Sequence, residues 1–130
     1  MNNEVENIKK NIVEFFKSRK CKFVFVLGSL VSTERFNDQS DIDIAAYMEE
    51  EVDSFELYSD LSNYLNTDRN IDLILMNKAD IIIISQILTN GELLINNDKL
   101  YLINYRAKKM SEYIDFKRSR KIIEDKILEN

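Results

Sequence analysis

Apolar residues along this chain follow two alternating patterns, one with the period of a helix and one typical of an extended strand. Val5, Ile8, Ile12 and Phe15 recur at helical spacing and predict an amphipathic helix over residues 3–18. Further helices are predicted over residues 53–65 and 79–88, from about Asp98 to the C-terminus, and in a short segment that follows Ser29.

Two of these helices have specific sequence support. Asp53 and Glu56 form a capping pair for the second, and Asn90-Gly91 predict the end of the third, although its four isoleucines leave a strand as the alternative. The last helix is predicted to bury the residues that recur along one face, Leu100, Ile103, Ala107, Met110 and Ile114.

Short apolar runs predict the strands of a sheet. Residues 22–27 form a continuous apolar run, residues 41–47 and 70–76 predict two more strands, and residues 92–95 predict a short edge strand. The alternation of helices and strands favours an α/β (α+β) fold with a small mixed sheet of three to four strands, packed by helices and followed by a long C-terminal helix. With 130 residues and no proline-rich or repetitive linker, the chain is predicted to form one domain over residues 1–130.

Composition limits the possible chemistry. The sequence contains no histidine, which excludes a Ser-His-Asp triad and most zinc sites, and its one cysteine, Cys21, cannot form an intrachain disulfide. No apolar run is long enough to cross a membrane, and the mixed-charge N-terminus does not resemble a signal peptide. The single cysteine fits a reducing compartment, so a cytoplasmic protein is expected. The net charge of −5 argues against direct nucleic-acid binding.

The second and third strand-forming runs are unusual because aspartates interrupt them. Asp41 and Asp43 are two residues apart, so their side chains project from the same side of the strand, and Asp72 lies within the next apolar run. Neighbouring carboxylates repel each other unless a cation lies between them, and Mg²⁺ prefers oxygen ligands. If the two strands pair, the three carboxylates form a site for Mg²⁺, where two ions can support phosphoryl displacement.

Gly28-Ser29 follows the first strand, about a dozen residues before the paired aspartates. A glycine allows close approach of the backbone to a ligand, and the start of a helix together with the Ser29 hydroxyl favours a bound phosphate. A Gly-Ser pair alone is also a common turn, so its value lies in this spacing.

Together these motifs resemble the polymerase β-like nucleotidyltransferases, and the size and layout resemble the minimal nucleotidyltransferase (MNT) antitoxins of HEPN/MNT toxin–antitoxin systems. The similarity spans nearly the whole chain and includes SDIDIAAY, NIDLILMNKAD and LTNGELLINND. It implies that Gly28 and Ser29 hold the triphosphate of ATP, that Asp41 and Asp43 bind two Mg²⁺ ions, and that Asp72 completes the metal site and helps to activate the attacking hydroxyl. It further implies AMP transfer from ATP to a tyrosine of a partner HEPN toxin.

The sequence differs from the family pattern at two points. Eleven residues, 30–40, separate Ser29 from Asp41 where the family usually has ten, and Ser32 and Thr33 stand where a basic residue and a glycine are usual. These differences favour the alternative that the protein neutralises its partner by binding alone. A small-molecule nucleotidyltransferase of the aminoglycoside-modifying kind would need a substrate domain that 130 residues cannot supply.

Two further features allow alternatives. Tyr47 could stack on a nucleobase or pack in the core, and packing is favoured. Residues 34–60 contain ten acids and one base, whereas basic residues are concentrated near the end of the chain, where they form either a solvated face or a surface for a nucleotide or partner. These basic residues are Arg106, Lys108, Lys109, Lys117, Arg118, Arg120 and Lys121.

Overall fold

The computed structural model describes residues 3–129, which form four helices and a four-stranded sheet together with two short 3-10 turns. The helices are α1 (Asn3–Lys17), α2 (Ser54–Leu65), α3 (Ile81–Asn90) and α4 (Lys99–Glu129). The strands are β1 (Cys21–Leu27), β2 (Ile42–Met48), β3 (Ile71–Leu75) and β4 (Glu92–Asn96). The predicted α+β class with a mixed sheet and a long C-terminal helix is therefore confirmed.

The strand order in the sheet is β3-β2-β1-β4. β1 pairs antiparallel with β2 and β4, whereas β2 pairs with β3 in parallel, because α2 returns the chain to the same end of the sheet. β4 is an edge strand, as its short apolar run predicted.

Helices cover both faces of this sheet, and the side chains of each strand divide between two cores. The core beneath α1 and α2 contains Ile12, Phe16 and Leu61 with Ile42 and Ile44 of β2. The core beneath α3 and α4 contains the strand residues whose side chains project from the opposite face of the sheet. Its buried members are Phe23, Phe25, Ala45, Met76, Ile84, Ile87, Leu88, Leu102 and Tyr105.

Polar caps fix the helix starts. The Asp53 carboxylate accepts hydrogen bonds from the amides of Phe55 and Glu56 at the start of α2, as the sequence predicted. Asp80 caps α3 in the same way by accepting from Ile83, which favours the helix over the alternative strand.

Gly91 ends α3 but does not adopt the left-handed conformation that its sequence context suggests, since its φ is −76°. Close packing explains the glycine instead. A β-carbon at this position would lie 2.6 Å from the carbonyl oxygen of Ile87 and 3.2 Å from the Phe25 ring.

The predicted buried face of α4 was wrong. Leu100, Ile103 and Ile114 are 69%, 64% and 52% exposed, whereas Leu102 and Tyr105 are 5% and 7% exposed. Ala107 is also exposed, and Met110 is half-buried. The aromatic face is buried instead, because the Tyr105 ring packs on Phe23 and Tyr47 and large rings bury more apolar area.

The second half of α4 makes little use of the core. Every residue from 114 to 129 is exposed, a length of roughly 24 Å at the helical rise. Of the helices within residues 3–129, none combines the length and the hydrophobicity that a membrane crossing requires.

Candidate functional site

The sheet brings two aspartates side by side. Asp43 of β2 and Asp72 of β3 are direct partners in the parallel register, so both side chains project from the same face. This is the face of Ala45, which packs in the core beneath α3 and α4. Asp43 is half-buried and Asp72 is exposed.

Asp41 lies next to this pair but just outside the strand. β2 begins at Ile42 rather than at residue 41, because the pairing with β3 starts where the Ile42 amide donates to the Asn70 carbonyl, at 2.9 Å. The Asp41 side chain is exposed. Its charge nevertheless acts on Asp43.

Negative charge is concentrated at Asp43. Burial raises the pKa of its carboxyl group, and the neighbouring charges of Asp72 and Asp41 raise it further. The ionised form of Asp43 is therefore less favourable in the folded chain than in the unfolded one, and a cation at this position would compensate for the difference.

The carboxylates do not form a complete metal cage by themselves. Among residues 3–129, no three acidic or cysteine side chains converge closely enough to enclose an ion. Any cation held here would take further ligands from outside the chain, such as phosphate oxygens.

Gly28 connects β1 to this site through an unusual backbone conformation. Its φ is +62°, in the left-handed region that favours glycine, and a β-carbon there would lie 2.8 Å from Oδ2 of Asp43. Leu27, the residue before it, is the register partner of Asp43. The glycine therefore allows the turn to pass directly against the carboxylate.

The predicted helix after Ser29 forms only as two 3-10 turns, Gly28–Leu30 and Thr33–Arg35. Ser29 lies inside the first turn and is not its N-cap, which is Leu27 with no side-chain cap. The left-handed Gly28 starts the turn two residues earlier than predicted, and its carbonyl accepts from the amides of Val31 and Ser32. Ser29 is half-buried and directly follows Gly28, the residue that packs against Asp43.

Arg69 was not predicted from the sequence. It precedes β3 and contacts the loop that leads to Asp41. Its guanidinium donates to the carbonyl oxygens of Asn37 and Ser40, each at 2.8 Å. Arg69 stands in a polar segment, NTDRN, where nothing in the sequence distinguishes it from an ordinary surface arginine.

Tyr47 packs in the core, which is the alternative that the sequence favoured. Its ring stacks on Phe23 with centroids 5.0 Å apart, and its hydroxyl is 2.6 Å from the Tyr101 hydroxyl. Burial, together with this hydrogen bond, raises the pKa of Tyr47 to about 12.

The basic residues 117–121 are exposed, and Arg120 pairs with Glu124 at 3.1 Å.

Comparison with known proteins gives the class of this domain. Residues 10–100 match the family described as Polymerase beta, Nucleotidyltransferase. Since this match covers most of the chain, the protein belongs to that family. No curated protein matches the chain significantly.

Several solved structures have the same fold. A chain in the crystal structure of a toxin–antitoxin with AMP-PNP aligns with a TM-score of 0.74 at 23% identity, over 92% of this protein and 98% of that chain. A chain of the MntA-HepT toxin-antitoxin aligns at 0.72 and 22%, over 95% and 98%. A chain from the complex of tri-AMPylated Shewanella oneidensis HEPN toxin with MNT antitoxin aligns at 0.73 and 22%, over 95% and 98%. These likenesses establish a shared fold.

Proposed function

We propose that this protein transfers AMP from ATP to a tyrosine of a cognate HEPN toxin in the cytoplasm and thereby acts as the toxin's antitoxin. The observation that supports this most directly is the adjacent register of Asp43 and Asp72, with Asp41 two residues before. Membership of the nucleotidyltransferase family supports the reaction class. The shared fold with chains from toxin–antitoxin complexes, one with AMP-PNP and one with an AMPylated toxin, supports the substrates.

The carboxylates fit Mg²⁺. Burial and the two neighbouring carboxylates raise the pKa of Asp43, so a divalent cation at this position would relieve an existing repulsion. Mg²⁺ usually binds proteins through one or two carboxylates and completes its shell with water and substrate phosphates, which agrees with the incomplete cage within residues 3–129. When bound, Mg²⁺ ions neutralise triphosphate charge and lower the pKa of a coordinated hydroxyl.

The residues of this chain have separate tasks in the proposed reaction. Asp41 and Asp43 would hold the metal ions, Asp72 would complete that metal site, and Gly28 and Ser29 would hold the triphosphate. The tyrosine oxygen of the toxin attacks the α-phosphorus of ATP, the bond from that phosphorus to the bridging oxygen breaks, and pyrophosphate leaves. Asp72, which is exposed beside Asp43, accepts the phenol proton. A free tyrosine has a pKa of about 10, so it needs this help at neutral pH.

An antitoxin also needs a surface for its toxin, and α4 offers one. The stripe Leu100, Ile103, Ala107 and Ile114 follows one face of the helix and stays exposed, although its spacing is that of a buried face. Exposed apolar surface of this length is typical of a site for a protein partner.

The charges beside this stripe favour a different protein over a second copy. At 3.6 residues per turn, one border of the stripe carries Lys99, Arg106 and Lys117. Beyond Ile114, the face of the stripe itself carries Arg118 and Lys121. Two copies of this face would bring like charges together. A toxin helix with an apolar stripe and acidic borders would complement it.

The experiment that tests the proposed function is Asp72→Asn, which keeps the shape of the side chain and removes its charge. The purified protein is incubated with the toxin, ATP and Mg²⁺, and the intact mass of the toxin is measured. AMP transfer should fall by about a hundredfold or more, the scale of losing general-base or electrostatic assistance. Toxin binding should survive. Asp68→Asn, an exposed aspartate four residues earlier, is the control and should transfer AMP normally.

The second candidate function is neutralisation by contact alone, which is favoured by the eleven-residue segment between Ser29 and Asp41, one residue longer than is usual in the family. Expression of the toxin with each version distinguishes the two functions. If Asp72→Asn protects cells as well as the natural chain, and the toxin gains no AMP mass with either, neutralisation is by binding and the enzymatic function is wrong.

A further inference from the structure

We propose that Arg69 is a positioning residue that fixes Asp41 relative to Asp43 and Asp72 by clamping the loop in front of β2. Its effect on AMP transfer rests on the proposed function, whereas its effect on the loop does not. Arg69 lies three residues before Asp72 in the segment that leads into β3. It therefore connects the strand of one aspartate to the loop that presents another.

Arg69 holds both ends of a tight turn. Its Nη1 donates to the carbonyl oxygens of Asn37 and Ser40, each at 2.8 Å, so one nitrogen uses both of its hydrogens on this turn. The turn is also closed from within, since the Ser40 amide donates to the Asn37 carbonyl and the Asn37 amide donates to the Ser40 hydroxyl. The planar fork of a guanidinium suits this double contact.

Other elements hold the guanidinium in place. Nη2 donates to the Glu4 carboxylate of α1 at 2.8 Å, and the guanidinium carbon lies 4.4 Å from the centre of the Phe36 ring. The Arg69 side chain is only 11% exposed. A charge that is buried to this extent persists only where it is paired and hydrogen-bonded, so its geometry is well determined.

The clamp acts on Asp41 because of its place in the chain. Ser40, whose carbonyl is bound, directly precedes Asp41, and the first backbone bond of the β2–β3 pairing follows at Ile42. The Asp41 backbone is thus fixed on both sides, although its side chain is exposed. Without Arg69 only the strand side would remain fixed. A displacement of about 1 Å in such a group can cost about a hundredfold in rate.

The test compares Arg69→Lys and Arg69→Gln with the same changes at Arg19. Arg19 is a matched control, since it also forms an ion pair, with Asp60 at 3.2 Å, and lies over a ring, Phe15, at 4.6 Å. Three quantities are measured: hydrogen exchange of residues 36–41 in the metal-free protein, the Mg²⁺ concentration for half-maximal stabilisation by ATP, and the kcat and KM of AMP transfer.

Lysine at position 69 keeps the charge but loses the planar fork. Exchange in residues 36–41 should accelerate about tenfold, the change that corresponds to losing one charged hydrogen bond. The Mg²⁺ requirement should rise, and kcat should fall by about a hundredfold while KM for the toxin stays the same. The glutamine variant should show the same pattern or a stronger one. The Arg19 variants should change none of these quantities.

Two results would overturn the clamp. One is unchanged exchange of residues 36–41 in both Arg69 variants. The other is an equal acceleration in the Arg19 variants, which would make the effect one of general stability. If the natural chain transfers no AMP to the toxin, the proposed function fails, and the exchange of the metal-free loop still decides whether Arg69 clamps it.

Discussion

At the scale of single residues, Asp43 is the position where stability and the proposed activity conflict. Since its pKa is raised in the folded chain, the ionised carboxylate at neutral pH lowers stability, and that cost disappears when the side chain is neutral. Asp43→Asn should therefore raise the melting temperature of the metal-free protein by a few degrees and abolish the further increase that Mg²⁺ and ATP give the natural chain. Thermal unfolding with and without Mg²⁺-ATP measures both effects. Asp38→Asn, an exposed control, should change neither, and a fall in the metal-free melting temperature of Asp43→Asn would contradict the prediction.

At the scale of elements, α4 has two faces with different tasks. Ile103→Asp on the exposed stripe should weaken toxin binding by about tenfold or more, because it places a charge in an apolar contact, and should leave the response to Mg²⁺-ATP intact. Ile123→Asp is the matched control, since Ile123 is 59% exposed and lies on the opposite face of the same helix. Titration of the toxin with each variant gives the affinities. Equal weakening of toxin binding by both variants would show that the stripe is not the binding surface.

α4 also illustrates how far the sequence predicts this structure. Periodicity and end signals predicted the elements to within a few residues, because features such as the Asp53 cap act through local hydrogen bonds. The Asp80 cap of α3 was not predicted. Two apolar stripes run along α4, however, and helical spacing cannot decide which one the sheet covers. For the candidate site, the i, i+2 rule predicted that Asp41 and Asp43 share one side of a strand, and that Asp72 joins them if the two strands pair. The strands do pair, with Asp43 and Asp72 in register, whereas Asp41 lies just outside the strand. Arg69 could not be predicted, because its contacts depend on three separate segments that only the fold brings together.

At the scale of the whole molecule, a cluster of tyrosines limits stability at high pH. Burial raises the pKa of Tyr47 to about 12, and burial also raises that of Tyr105, so both favour the folded state while protonated. This contribution is fully present below the unfolded value of about 10 and is lost as the pH rises through the folded values. The tyrosines should therefore make the free energy of unfolding fall steeply between about pH 10 and 12. Denaturant unfolding across this range, with tyrosinate absorbance, measures the fall.

Tyr47→Phe should make that alkaline fall shallower and should lower stability at neutral pH, since the hydroxyl that meets Tyr101 at 2.6 Å is lost. Tyr58→Phe, on an exposed ring of α2, should leave the profile unchanged. An identical alkaline profile in the natural chain and Tyr47→Phe would assign the fall to other groups.

The contact between Gly28 and Asp43 has a consequence for how this sequence can change over time. A β-carbon at position 28 would lie 2.8 Å from Oδ2 of Asp43, so any larger residue there must displace the carboxylate as well as adopt a left-handed backbone. The effect of a mutation at position 28 therefore depends on the side chain at position 43, so substitutions at the two positions are coupled. Keeping the aspartate therefore favours keeping the glycine, whereas a chain that has lost the aspartate is constrained at position 28 only by the left-handed backbone.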